Sequence, residues 1–262
     1  MSHSVTRASS ATGLITIAAF EADQPVRHFF GTRDQPRSVN APFDGSISSK
    51  HGERDGPVAV ISVKQVHGTD ALIVDRPVEA GTTFEGGWDA VVTNQPRVLV
   101  TVRTADCVPI LLHDPIHRIV AAVHSGWRGS VAGIVPKTLQ MMKREFGSAA
   151  DAVQVAIGPS AGSCCYEVDD AVLRPIQSYS FWRSVVRETA PGRALFTLRD
   201  FVYRQVEAAG VSPRNMWSVD LCTICEPTLF HSYRREGVVK GTMTSGIMLA
   251  PFEDVRPSPQ SR

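Results

Sequence analysis

Three short segments of this chain each present a potential metal ligand close to the end of an apolar run. The ligands are His67, Cys107 and His124. Two imidazoles and one thiolate form a set that suits zinc. Three protein ligands leave a fourth position for water or substrate, which is typical of a catalytic rather than a structural zinc site. The three residues therefore predict a zinc centre, provided that the fold brings them together.

The same residues are compatible with other chemistry. Blue-copper sites also use two histidines and one cysteine, so copper is an alternative metal. A laccase needs a further copper cluster bound by many histidines, commonly in His-x-His pairs, and none of the 8 histidines has that spacing. A metal-free hydrolase would use Cys107 as nucleophile and His124 as base. The structural alternative is that all three are packed core residues.

The remaining cysteines predict no second metal site. Cys222 and Cys225 have CxxC spacing, but their only further companions are the adjacent Cys164 and Cys165. A structural zinc site usually has a second spaced pair, so the sequence favours buried free thiols. The odd total of 5 cysteines also argues against a disulfide scaffold and favours a reducing compartment.

Charged side chains near the three ligands suggest further roles. Arg128 follows His124 closely and precedes a predicted helix, and an arginine beside a helix N-terminus predicts a phosphate site. The alternative for Arg128 is a salt bridge that fixes the loop. Asp106 and Glu167 are candidates for proton transfer, and the alternative for each is support of a loop by hydrogen bonding.

The other histidines give weaker predictions. His113 and His117 flank a turn, and we expect both to be solvated. His231 lies beside two arginines, and the sequence leaves open whether it lines a pocket or lies on the surface.

Apolar runs bounded by turn residues supply the elements that must position these side chains. Helical spacing predicts helices over 131–146, 168–179 and 198–209, and Pro136 indicates that the first begins after residue 131. The strands at 108–114 and 118–124 are expected to pair across a turn at Asp114. Residues 32–56 hold few apolar side chains and predict a long surface loop. Strands are predicted over residues 57–63, 70–75, 89–93, 98–103, 108–114, 118–124, 153–157, 216–221 and 246–249.

Composition indicates a single globular α+β domain of mixed β-sheets flanked by helices. Hydrophobic residues make up 43% of the 262 residues and charged residues 20%, and the net charge is +1. This balance argues against nucleic-acid binding, and no run reaches the roughly 20 apolar residues of a membrane span. We expect a cytoplasmic protein with flexible ends at 1–13 and 251–262 around one catalytic domain at 14–250.

Five motifs occur in order along the chain. They are Gln65-Val66-His67-Gly68, Asp106-Cys107-Val108-Pro109, His124-Ser125-Gly126-Trp127-Arg128-Gly129, Cys165-Tyr166-Glu167-Val168 and Phe230-His231-Ser232-Tyr233-Arg234-Arg235. Together they resemble the laccase-domain family, also called multicopper polyphenol oxidases and regarded as zinc-dependent purine nucleoside phosphorylases. The resemblance runs from about residue 29 to 249 and implies that His67, Cys107 and His124 are the metal ligands.

The resemblance also implies an activity. It suggests phosphorolysis of purine nucleosides, with adenosine deaminase and methylthioadenosine phosphorylase side activities, and hence both glycosyltransferase and hydrolase chemistry. Arg128, Arg234 and Arg235 would then bind the phosphate or the nucleoside. Two departures from the family pattern are Thr242, where an arginine is usual, and Ser125, where alanine is common. The sequence makes no prediction about oligomeric state.

Overall fold

The computed structural model describes residues 7–9, 13–21, 26–35 and 57–251. The strands are β1 (Arg7–Ser9), β2 (Leu14–Thr16), β3 (Val26–Gly31), β4 (Ala59–Ser62), β5 (Ala71–Val74), β6 (Ala90–Thr93), β7 (Val98–Thr104), β8 (Val108–Asp114), β9 (Ile119–Ser125), β10 (Gln154–Ile157), β11 (Glu167–Asp169), β12 (Val186–Ala190), β13 (Arg193–Phe196), β14 (Met216–Ser218) and β15 (Met243–Leu249). The helices are α1 (Ala18–Glu21), α2 (Trp127–Val131), α3 (Ile134–Phe146), α4 (Asp170–Ile176), α5 (Leu198–Ala208) and α6 (Tyr233–Glu236).

The described strands form two large mixed sheets and one small antiparallel sheet. An outer sheet has the order β1-β2-β3-β15-β7-β4, and a central sheet has the order β14-β10-β8-β9-β6-β5. A small sheet of three strands has the order β11-β13-β12. Parallel and antiparallel neighbours occur together in both large sheets, as between β4 and β7 and between β15 and β7.

Alternating side chains of the central sheet build two cores. In β8, Ile110 and Leu112 pack in the core that includes α3 and α5, whereas Leu111 packs in the core shared with the outer sheet. This alternation follows from the two-residue period of a strand. All seven residues of β8 are buried, because one face lies under helices and the other lies under a sheet. The predicted α+β class with mixed sheets and flanking helices is confirmed.

The helix predicted over 131–146, with a start after residue 131, is α3, and the short helix α2 before it was not predicted. α2 ends at Val131, and Gly133 at φ 81° separates it from α3. α3 begins at Ile134, so Pro136 lies in the first turn, as its missing N–H requires. Gly147, at φ 80°, caps the C-terminal end as predicted.

The prediction of a helix over 168–179 is wrong at both ends. Residues Glu167–Asp169 form β11, which pairs with β13, and the Asp169 side chain then accepts the N–H of Ala171 to begin α4. The short strand was not predicted because α4 follows β11 without a loop, so the apolar spacing of the helix extends back over the strand. α5 confirms the third prediction to within one residue.

The strands predicted between residues 57 and 157 are confirmed, and the late strands differ in length. β14 ends at Ser218 rather than at 221, and β15 starts at Met243 rather than at 246. The sequence patterns gave no prediction for the exposed strand β12 or its partner β13. Most of the predicted 32–56 loop and of both predicted flexible ends lies outside the described residues. None of the described helices has the length and apolar character of a bilayer span.

Candidate metal centre

The three predicted ligands meet at one end of the central sheet. Cys107 precedes the first residue of β8, and His124 is the last residue but one of β9, where it pairs with Pro109. His67 lies in the loop between β4 and β5, and β5 starts beside the start of β6. The antiparallel register of β8 and β9 therefore sets Cys107 and His124 side by side, and the loop adds His67.

The ligand atoms lie within 4.8 Å of one another. Cys107 Sγ is 3.8 Å from His67 Nε2, and the rings of His67 and His124 are 4.8 Å apart and nearly perpendicular, at 83°. His124 is buried, Cys107 is half-buried and His67 is exposed. The cluster is thus open to solvent on the His67 side, as a site with a vacant fourth position needs.

Asp89, immediately before β6, organises two of the ligands and was not predicted from the sequence. Its carboxylate is fully buried and accepts the ring Nδ1–H of His124 at 2.7 Å. It also accepts the backbone N–H groups of Val66, His67 and Gly68. The first contact leaves Nε2 of His124 free to bind a metal, and the others fix the His67 loop. A carboxylate behind a ligating histidine is a common outer contact in metal sites.

The backbone at His67 has a positive φ of 59°, which is unusual for a residue other than glycine. The hydrogen bonds to Asp89 hold the loop in this conformation. A lone aspartate before a strand carries no motif, so its role became visible only from the contacts.

The charges of the centre are coupled. Burial opposes ionisation of Cys107, but hydrogen bonds from His124 and His67 outweigh it and lower the pKa of the thiol to about 7. Burial also opposes protonation of His124, but Asp89 and then Cys107 raise its pKa to about 9. Burial would raise the pKa of Asp89, yet the contacts with His124 and the backbone lower it. The cysteine is therefore readily available as a thiolate, the form that binds metal.

Gly126 is required by the close approach of its loop to the ligands. A Cβ at this position would lie 2.7 Å from Cδ2 of His67 and 3.0 Å from Sγ of Cys107. Ser125, where the family commonly has alanine, hydrogen-bonds to the hydroxyl of Ser130 at 2.7 Å. The additional hydroxyl is thus satisfied inside the loop.

Asp106 supports the loops around the centre. Its carboxylate accepts the Thr223 hydroxyl at 2.6 Å, the Ser232 hydroxyl at 3.0 Å and the backbone N–H of Arg234 at 2.6 Å. Glu167 accepts from Thr189 at 2.8 Å. Both geometries match the loop-supporting alternative of the sequence analysis.

The three predicted arginines have different surroundings. Arg128 is exposed within α2 and stacks on the ring of Trp127 at 4.4 Å. Arg234 lies 4.7 Å over the ring of Tyr166, and both line a cleft of about 220 Å³ together with Trp127. The guanidinium of Arg235 donates instead to the carbonyls of Thr223, Ile224 and Phe230, so it braces its own loop.

A larger cavity, of about 620 Å³, lies between α3 and α5. None of its lining residues is a predicted ligand or arginine. The smaller cleft is lined by the predicted Arg234 and by Trp127, which follows the Gly126 that closely approaches His67 and Cys107, so it is the better candidate for the substrate site.

Two predictions for other side chains are wrong. His113 is completely buried, with Nδ1 3.3 Å from Oε1 of Gln154, because it belongs to the central strand β8. The four remaining cysteines are not separate buried thiols: Cys164 and Cys225 are exposed, and all four sulfurs lie within 4.8 Å of one another. His117 is partly exposed and contacts Asp114 at 2.8 Å, while His231 is half-buried.

Several known proteins are similar to this chain in sequence or in fold. The family model described as multi-copper polyphenol oxidoreductase laccase matches residues 29–250. A purine nucleoside phosphorylase of Bacteroides thetaiotaomicron is 33% identical over 74% of this chain and 74% of its own length. Adenosine deaminase RL5, from an unknown prokaryotic organism, is 36% identical over 72% of this chain and 74% of its own. The crystal structure of hypothetical protein YfiH of Bacillus licheniformis has a TM-score of 0.79 at 25% identity and covers 93% of this chain and 98% of its own.

Proposed function

This chain belongs to the multi-copper polyphenol oxidoreductase laccase family, and on that basis we propose that it is a zinc-dependent purine nucleoside phosphorylase. The observation that carries the proposal is the convergence of His67, Cys107 and His124 within 4.8 Å at one end of the central sheet. Relatives named purine nucleoside phosphorylase support the reaction and its two substrates, a purine nucleoside and phosphate.

The donor set fits zinc better than a laccase copper assembly. Two imidazole nitrogens and one sulfur satisfy three positions of a tetrahedral ion and leave one for substrate. Within the described residues, the two potential metal clusters contain His67 and His124 as their only histidines, so the many-histidine copper cluster of a laccase has no counterpart there.

Residues in the cleft and around the metal centre have separable roles in this proposal. Arg234, held over Tyr166, and Arg128, held over Trp127, supply positive charge for the phosphate. Asp89 keeps the proton on Nδ1 of His124, so that Nε2 faces the metal position. A bound zinc ion would act as a Lewis acid that stabilises negative charge on the substrate. Arg235 contributes indirectly by holding the loop that carries Arg234.

Deamination of adenosine and phosphorolysis of methylthioadenosine are proposed as side activities of the same site. A relative named adenosine deaminase is 36% identical to this chain, which supports the first. The outcome that distinguishes the reactions is their dependence on phosphate, because phosphorolysis requires it and deamination does not.

A metal-free thiol hydrolase is the second candidate, and the position of Cys107 Sγ within 4.8 Å of a ring nitrogen of both His67 and His124 favours it. The two candidates differ in their use of His67. As a zinc ligand, His67 is as necessary as Cys107, whereas a Cys107–His124 pair can operate without it.

The deciding experiment measures zinc content and turnover of a purine nucleoside panel, with and without phosphate. We expect His67→Ala and Cys107→Ala each to lose one zinc per chain and nearly all phosphate-dependent turnover. His117→Ala is the control, since its ring is remote from the centre and lies in the β8–β9 turn. Normal turnover by His67→Ala would overturn the zinc mechanism and support the hydrolase.

A further inference from the structure

The four cysteines outside the metal centre form a second cluster, here called the tetracysteine cluster: Cys164, Cys165, Cys222 and Cys225. Cys165 Sγ lies 3.0 Å from Cys225 and 3.7 Å from Cys222, and Cys164 Sγ lies 3.2 Å from Cys225. All four sulfurs lie within 4.8 Å of one another. The first pair comes from the loop between β10 and β11, and the second pair follows β14.

We propose that the tetracysteine cluster binds a second zinc ion in a closed, structural site. Four sulfurs at the corners of a tetrahedron, each about 2.3 Å from a zinc ion, lie about 3.8 Å apart. Four of the separations run from 3.0 to 3.7 Å, somewhat shorter than that value, and all lie within 4.8 Å, so one common centre explains why every sulfur is near every other. The multi-iron clusters bound by four cysteines would hold the sulfurs further apart, since the ligands bind different irons.

The backbone around Cys222 suits a thiolate. Gly162 donates its N–H to Sγ of Cys222 at 3.3 Å, a contact that stabilises negative charge on sulfur. Cys222 and Cys225 have the two-residue separation that lets one loop chelate zinc through both sulfurs. Cys164 and Cys225 are exposed, so an ion can reach the cluster from solvent.

The position of the cluster explains what the ion would stabilise. Cys222 forms a parallel bridge with Ser160, and the neighbouring Thr223 donates its hydroxyl to Asp106. Arg235 donates to the carbonyls of Thr223 and Ile224. A bound ion would therefore link the loops that hold two parts of the metal-centre region. One is Asp106, next to the ligand Cys107, and the other is the segment that carries Arg234 and Arg235. Its role is to hold these loops in position, since all four coordination positions are filled by protein.

The first test uses the unaltered protein, purified under reducing conditions with zinc present. We expect two zinc ions per chain and protection of all four cysteines from alkylation, measured for each peptide by mass spectrometry. Removal of zinc with a chelator should expose all four together. Alkylation that is equally fast with and without zinc would overturn the proposal, as would disulfide bonds within the cluster in the zinc-loaded protein.

The second test separates the two sites. The double variant Cys164→Ser/Cys225→Ser should retain one zinc ion and, after cobalt substitution, lose the intense sulfur-to-cobalt absorption of a four-thiolate site and keep only the weaker absorption of the single Cys107 thiolate. Cys107→Ala is the matched control, and it should lose the other zinc and keep the four-thiolate absorption. A double variant that still binds two zinc ions contradicts the tetracysteine site. Neither measurement uses nucleoside turnover, so the site can fail while the proposed phosphorylase activity stands, or the reverse.

Discussion

At the scale of single residues, the metal centre depends on the absence of one methyl group. Gly126 has an ordinary φ of −74°, so alanine fits its backbone, but the new Cβ would press on His67 and Cys107. We predict that Gly126→Ala weakens zinc binding at this centre roughly 10–100-fold, the range seen when ligand orientation is disturbed. The measurement is the zinc concentration needed to restore turnover after chelation.

The same substitution should leave the midpoint of thermal unfolding nearly unchanged in the zinc-free protein, since it introduces no backbone strain. Equal zinc dependence in Gly126→Ala and the unaltered protein would show that the ligands move aside without cost. That result would contradict the close approach described for this loop.

The residues that could be selected from the sequence are those whose chemistry is visible one at a time. His67, Cys107 and His124 each follow or precede an apolar strand, and the structure brings them together. Asp89 could not be predicted, because its four contacts come from two separate segments and no residue pattern marks it. The tetracysteine cluster was missed for a similar reason: adjacent cysteines lack the usual spacing, and the pairs lie on different loops.

At the scale of elements, the break between α2 and α3 depends on Gly133. Its φ of 81° is left-handed, and a Cβ there would have nothing within 4 Å. We predict that Gly133→Ala lowers the free energy of unfolding by about 1–2 kcal/mol through backbone strain alone. Gly133→Asn should cost less, because asparagine tolerates this conformation better. Urea unfolding of the three proteins measures both differences.

The zinc dependence of turnover should be the same in Gly133→Ala as in the unaltered protein, because the break lies beyond the ligand loop. Loss of zinc binding in this variant would mean that α2 is coupled to the centre. Strand prediction succeeded where apolar runs were long, whereas the short helix α2, of only five residues, was not predicted.

At the scale of the whole molecule, a buried histidine between the layers should make stability depend on pH. His113 is fully buried beside Gln154, Asp114 and Arg118, and burial lowers its pKa from 6.5 to about 4. The unfolded chain therefore binds a proton between pH 6.5 and 4 that the folded protein does not. Stability contributed by neutral His113 is complete above pH 6.5 and is lost as the pH falls towards 4.

We predict that the protonation of His113 in the unfolded chain lowers the free energy of unfolding by about 2 kcal/mol as the pH falls from 7 to 5. His113→Gln should lose less stability over the same interval, even if it is less stable at both values. Urea unfolding at the two pH values gives the comparison, and the contributions of other titrating groups cancel between the two proteins. Identical losses of stability in the two proteins would show that His113 gains its proton over the same pH range in the folded and the unfolded chain.

The β8–β9 hairpin has a further consequence for where foreign sequence can be placed. Its open end holds Cys107 and His124, and its turn, with Ile116 70% exposed, lies seven strand residues away, or roughly 20 Å. A single residue added within either strand would turn the side chains on one side of the insertion to the opposite face of the sheet, and Cys107 and His124 would no longer lie together. Residues added at the turn leave both registers intact, so an epitope or a lanthanide-binding peptide inserted there can report on the molecule without disturbing its chemistry.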